Sequence, residues 1–367
     1  MCDLRVLLVI VAPLRLTLWV LAISTAVILV LIAIGIGRHL EAARADRHRE
    51  RLQREFGPVF SRFLETQDST RLAESLRPAF RRVGRAERPV LAMLAIDLMR
   101  EASTPTQAEA LRGALDAAGI VELGEKGTRR LSPWRRALAC EALGMIGAHR
   151  SVPALLDRLK DRRPEVRTAA AQALGDIGSA DAVPALGEAF LERRVAPTNV
   201  LNDALRRIGG DAVDVFRRGV KSPDPIVRIS ACYGLSTMAH DRDACAFDLS
   251  VVLDSDPDPR VRAAAAAALG IVGGDDAPAA LRRATTDPDV TVRRAAVRSL
   301  GSFDDPASGE TLDERLEDED REVAIRAAES LLALARRPRA EQAMRTRLDS
   351  SSAWAVEYAR TVAEVSA

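Results

Sequence analysis

Between Arg136 and Arg326 the apolar and polar positions of this chain follow two periods at once, one of a single helix and a longer one that spans a pair of helices. The clearest stretch is residues 161–178. There Val166, Ala170, Ala173, Leu174 and Ile177 fall at i, i+4, i+7, i+8 and i+11, which is one stripe of a 3.6-residue helix. Gly178 closes the stripe and predicts a left-handed helix C-terminus. A second helix is expected from near Ala182. Pro184 lies in its first turn, where a missing N–H costs nothing, and Pro153 and Pro278 hold the same slot elsewhere.

The long period is marked by Val166-Arg167, Val227-Arg228, Val261-Arg262 and Val292-Arg293, with Ile325-Arg326 as a variant. The marks are nearly evenly spaced from Arg228 to Arg326, and the interval from Arg167 to Arg228 is two repeats long. Residues 198–209 supply the copy inside it, with Leu205, Ile208 and Gly209 matching Leu174, Ile177 and Gly178. An upstream copy carries Arg136, Leu143, Ile146 and Gly147. Seven copies span residues 131–349, with a partial one after them. A fixed period of about thirty residues predicts a solenoid of stacked helix pairs. Aromatics are 4% of the chain, and Ala and Gly dominate the contact positions, as close helix approach requires.

The motif D-x-x-P-x-V-R-x-A-A-x-x-A-L-G-x-I-G at residues 161–178 resembles the HEAT-like repeats named after phycobilisome lyases, short relatives of HEAT and armadillo repeats. The resemblance covers more than half of the chain and extends more weakly to a helix pair at residues 90–100 and 106–117. It implies an all-α, right-handed α-solenoid. It also implies that Arg167, Arg228, Arg262, Arg293 and Arg326 are structural, each pairing with an aspartate at the start of its repeat. Aspartate stands six residues before the arginine at Asp161, Asp256, Asp287 and Asp320. An anion-binding ladder is the functional alternative for these arginines. The motif specifies fold and says little of function.

A second element precedes the repeats. Residues 16–36, opening on Leu16 and closing on Ile36, are 21 positions without a charge, and about 20 suffice to cross a bilayer as a helix. Arg15 and Arg38 bracket the run, and Trp19 lies one turn inside it. Its length exceeds the apolar core of a cleaved signal peptide, so an uncleaved transmembrane helix is expected. Two arginines, Arg5 and Arg15, come before it. Arg38, Arg44, Arg47, Arg49, Arg51 and Arg54 follow within twenty residues. Positive residues stay on the cytoplasmic side, which predicts a single-pass inner-membrane protein with cytoplasmic repeats. The expected organisation is a short segment at 1–15, the membrane helix at 16–36, a charged juxtamembrane helical region at 37–87 and the repeat solenoid at 88–367.

The net charge of +1 hides an asymmetry. Residues 38–150 hold 21 basic and 15 acidic side chains, whereas residues 222–330 hold 12 basic and 22 acidic. The acidic distal half argues against nucleic acid as the main partner, because phosphate neutralisation needs a basic surface. Cys140 and Cys232 occupy one repeat slot and read as small core residues. No C-x-x-C, P-loop, G-x-S-x-G or H-E-x-x-H is present. Deoxyhypusine hydroxylase, a HEAT-type enzyme that resembles this fold, binds iron through His-Glu pairs. Here the residues after the four histidines are Leu40, Arg49, Arg150 and Asp241. Asp275-Asp276 and Asp304-Asp305 fall in expected turns, where aspartate caps helices.

The function this predicts is a membrane-anchored, non-enzymatic adaptor without cofactor, metal or small-molecule substrate, which binds a protein partner or supports a membrane enzyme complex. The second helices are expected to carry the contact surface, with Arg158, Glu188 and Arg282 as exposed positions on it. The alternatives are a phycobilin-lyase-like or other enzyme-accessory protein, and a periplasmic scaffold if the topology is inverted.

Overall fold

The computed structural model describes residues 104–336 apart from 131, 194 and 239–241, and single positions between 47 and 100 and between 354 and 361. The expected membrane helix at 16–36, most of the charged region at 37–87 and the end of the repeat array lie outside the described residues. Among the described residues no helix is long and apolar enough to cross a membrane.

The chain divides into two compact units, Met1–Ile120 and Val121–Ala367. In the first, helix α1 (Pro105–Ala117) starts at Thr104, whose hydroxyl accepts from the Gln107 amide at 3.2 Å. It buries Leu111, Ala114 and Leu115. Helix α2 (Ile120–Gly127) begins at the boundary.

Over its described residues the second unit is all α, a solenoid of stacked helix pairs. Seven first helices follow one another: α3 (Pro133–Ile146), α5 (Pro164–Ile177), α7 (Thr198–Ile208), α9 (Pro225–Leu235), α11 (Pro259–Val272), α13 (Val290–Leu300) and α15 (Arg321–Leu334). Between them lie the second helices α4 (Val152–Arg158), α6 (Val183–Glu192), α8 (Val213–Gly219), α10 (Arg242–Ser255), α12 (Ala277–Ala284) and α14 (Ala307–Glu314). Each first helix packs on the next first helix, and each second helix packs on the first helix of the following repeat. This is the two-layer stack in which every repeat buries its apolar stripe against its neighbours.

Local chemistry sets the helix bounds. Proline opens α3, α4, α5, α6, α9, α11 and α12. Asp224, Asp258, Asp289 and Asp320 cap α9, α11, α13 and α15 by accepting a backbone N–H of the first turn, which satisfies a donor the helix leaves unpaired. Gly178 has φ 70° and ψ 27°, the left-handed end read from the sequence.

All five residues of the 166–177 stripe are buried, Val166, Ala170 and Leu174 completely. Glycine sets how closely first helices approach. A Cβ added at Gly144 would sit 2.5 Å from Cα of Ala173, and one at Gly175 would sit 2.6 Å from Cα of Ala204. Where larger side chains meet, Phe190 of α6 and Phe216 of α8 pack edge to face with ring centroids 5.8 Å apart.

Candidate functional site: the arginine ladder and the second-helix surface

Most of the register arginines join one repeat to the next. Arg228 grips Asp256 with two parallel bonds, Nε to Oδ2 at 2.7 Å and Nη2 to Oδ1 at 3.0 Å. Arg262 holds Asp287 at 2.8 Å and 2.8 Å, and Arg293 holds Asp318 at 3.1 Å and 3.0 Å. In each case Nη1 reaches back to the carbonyl six residues earlier, on Ser222, Asp256 and Asp287 respectively. The carboxylate also accepts the backbone N–H two residues after it, from Asp258, Asp289 and Asp320 at 2.9 Å. Bidentate geometry of this kind is the strong form of the ion pair.

This corrects the expected pairing. The aspartate six residues before the arginine gives it a backbone carbonyl, while the carboxylate partner comes from the following repeat. Asp320 is therefore not the partner of Arg326. Asp320 caps α15 and binds Arg294, and Asp318 takes the structural place. Arg326 pairs along its own helix with Glu322 and Glu329. Arg167 donates Nε to the carbonyl of Val195 and Nη1 to that of Asp161, so among the described residues its partners are backbone oxygens. Arg136, read from the sequence only as a register mark, makes the full staple, with Asp161 at 2.8 Å and 2.8 Å and the Arg130 carbonyl at 2.9 Å. The bonds from Arg136 hold the Asp161 carboxyl below the usual carboxylate range.

The second-helix positions expected to form a contact surface differ among themselves. Glu188 is exposed. Arg158, expected at the surface, is half-buried: it donates to the Thr128 carbonyl at 3.3 Å and lies 3.6 Å from Asp161. Arg282 is also half-buried and pairs with Asp305 of the next turn. Both arginines serve the stack, because short second helices bring their ends over the neighbouring repeat.

Large apolar side chains stand exposed elsewhere. Phe247 is 69% exposed and Val251 50%, both on α10. At 14 residues α10 is the longest described second helix. A signal was present in the sequence: Phe247 and Val251 are spaced i, i+4 outside the interior set Cys245, Ala246, Leu249, Val252 and Leu253.

The cysteines lie in the packing layer. Cys140, Cys232 and Cys245 are buried, and burial pushes the thiols of Cys140 and Cys232 up to about 12. At neutral pH both are protonated and poor nucleophiles. Of the four histidines, His149 is exposed and is followed by exposed Arg150, while the other three lie outside the described residues. Among the described residues no three His, Cys, Asp or Glu side chains are grouped to hold a metal ion.

HEAT repeats match the chain at residues 125–206, 213–291, 248–333 and 279–363. A comparison with curated proteins finds no match. Among solved structures the chain is similar to human deoxyhypusine hydroxylase in complex with glycerol (20% identity, 67% of this chain and 96% of that chain covered, TM-score 0.31). It is similar also to the complex of CpcE and CpcF of phycocyanin lyase from Nostoc sp. PCC7120 (22%, 66% and 94%, TM-score 0.30). A third is Kap121p bound to Nup53p (13%, 80% and 40%, TM-score 0.47). Likeness at these identities concerns the fold alone. The repeat matches extend over well over half of the 367 residues, and the chain belongs to the HEAT-repeat family.

Proposed function

We propose that this chain is a non-enzymatic HEAT-repeat adaptor, anchored by one N-terminal span to the inner membrane, with its repeats in the cytoplasm and a protein as its partner. The observation that supports the reading is the ladder itself. It engages Arg136, Arg228, Arg262 and Arg293 with aspartates of the following repeats, and most of the chain's in-register charge is thereby accounted for by stacking. What a stack of this kind offers another molecule is extended surface. The anchor and its orientation are supported by residues 16–36 and the arginines after them.

Two experiments test this. A C-terminal fusion to a reporter active only in the periplasm is expected to be silent, and one to a cytoplasmic reporter active; the opposite pattern reverses the topology. Cross-linking of the full chain in cells, followed by purification from detergent extract, is expected to yield a reproducible protein partner. A bound bilin, flavin or metal in the purified chain would overturn the adaptor reading.

A further inference from the structure

Among the described residues the second-helix layer contains a cleft whose lining stacking explains only in part. It has a volume of about 450 Å³ and lies between α10 and α12. Asp243, Phe247, Val251 and Asp254 line one wall. They are spaced i, i+4, i+8 and i+11, so they form one face of α10 about 16 Å long at 1.5 Å per residue. The floor is small, made by Ala246, Gly274, Ala279 and Ala280. Phe247 and Val251 stand over that floor in solvent, an arrangement that leaves room for an apolar side chain between them.

Charge selects the occupant. Arg283, the only cation among the lining residues, lies 2.7 Å from Asp254 and neutralises that end. At the other end Asp243, Asp275 and Asp276 are all exposed, and among the described residues no ion pair or capping bond is found for them. Asp276 sits at the N-terminus of α12 and its side chain accepts nothing from it, as is also the case for Ser151 before α4.

We infer that this cleft is a docking site for a short amphipathic helix of a partner protein, about three turns long, with apolar residues at i, i+4 and lysine or arginine at one end. The apolar pair would enter between Phe247 and Val251, and the cations would meet Asp243, Asp275 and Asp276. This is the helix-in-groove mode of recognition. The inference rests on the adaptor reading and specifies its contact surface and the chemistry of the partner.

The test uses the full chain in phosphatidylcholine nanodiscs with the photo-cross-linker benzoylphenylalanine at position 247 or, as a control, at Tyr233, which is 46% exposed on a first helix. The probes are biotinylated Leu/Lys and Leu/Glu amphipathic peptides of equal length. The Leu/Lys peptide is expected to cross-link at 247 several-fold more than at 233, and the Leu/Glu peptide at neither. Asp275→Lys with Asp276→Lys should lower the yield at 247 at least five-fold, as should Val251→Ser. Asp181→Lys with Asp211→Lys makes the same charge change at exposed positions elsewhere and should leave it unchanged. Equal yields at 247 and 233, insensitivity to both cleft variants, or an equal loss from the remote variant would each overturn the inference. If the wild-type chain captures a partner while the cleft is silent to the peptide, only this inference falls. If it captures none, the adaptor reading falls with it.

Discussion

An aspartate at the head of a repeat serves two neighbours. The Asp256 carboxylate binds Arg228 of the preceding repeat, and its carbonyl accepts from Arg262 of its own. The Asp256 side chain is 6% exposed and that of Arg228 12%. Removing one partner of a buried pair leaves the other charge without compensation, at about 3 kcal/mol or more. Asp256→Ala is therefore expected to lower stability by about that amount in denaturant titration. Asp214→Ala, at a side chain 83% exposed, should change it by less than about 0.5 kcal/mol. Equal effects would mean that the ladder is not structural. The same pairs predict an acid limb. Arg136 lowers the folded-state pKa of the Asp161 carboxyl below its unfolded value. Its contribution is thus complete above the ordinary carboxylate range near about 4, and is lost as pH falls through the folded value. Melting temperature should fall more steeply below that range in the wild type than in Asp161→Asn.

At the scale of the helix, small residues decide spacing. Gly175 faces the backbone of Ala204, and an added Cβ would come within 2.6 Å of its Cα. Backbone cannot swing aside as a side-chain tip can, so Gly175→Ala should force α5 and α7 apart and cost about 1–3 kcal/mol. At Gly113 of α1 an added Cβ would meet nothing within 4 Å. Gly113→Ala is expected to be neutral or to stabilise by up to about 1 kcal/mol, since alanine is the better helix former. Thermal melts of the two variants check this, and a matching loss in both would place the helix contact elsewhere. The stripe, the prolines and Gly178 were legible because helix periodicity and capping act over a few residues. The burial of Arg158 was not legible, because it depends on Thr128 and Asp161 in adjoining turns.

For the molecule as a whole, neighbour-to-neighbour packing makes stability a sum of repeat and interface terms. The repeats bury Leu174, Leu205, Leu269 and Leu300 against one another, so they need no lipid to do so. Removal of residues 1–37 is expected to leave a protein that stays in solution without detergent and gives strongly helical circular dichroism. Aggregation in detergent-free buffer, or little helical signal, would contradict this. The acidic excess of residues 222–330 becomes specific only at this scale. Much of it is consumed in caps and staples, whereas Asp243, Asp275 and Asp276 gather at one cleft.

The linear sequence was sufficient for the helical class, the two-helix repeat, the interior stripe and most helix ends. Each of these depends on side chains a few positions apart or on a pattern that recurs. It also placed the register arginines, but not their partners. Stacking brings the carboxylate 25 or 28 residues further along the chain beside each stapling guanidinium, while Asp161, Asp256 and Asp287, six residues before Arg167, Arg262 and Arg293, turn their carboxylates to the preceding repeat. The exposure of Phe247 has the same origin. Packing of α10 on α11 and α12 claims the face that carries Leu249 and Leu253 and leaves the face of Phe247 and Val251 in solvent. Which of two apolar faces is covered depends on the neighbouring helices, and these are brought together only when the repeats stack.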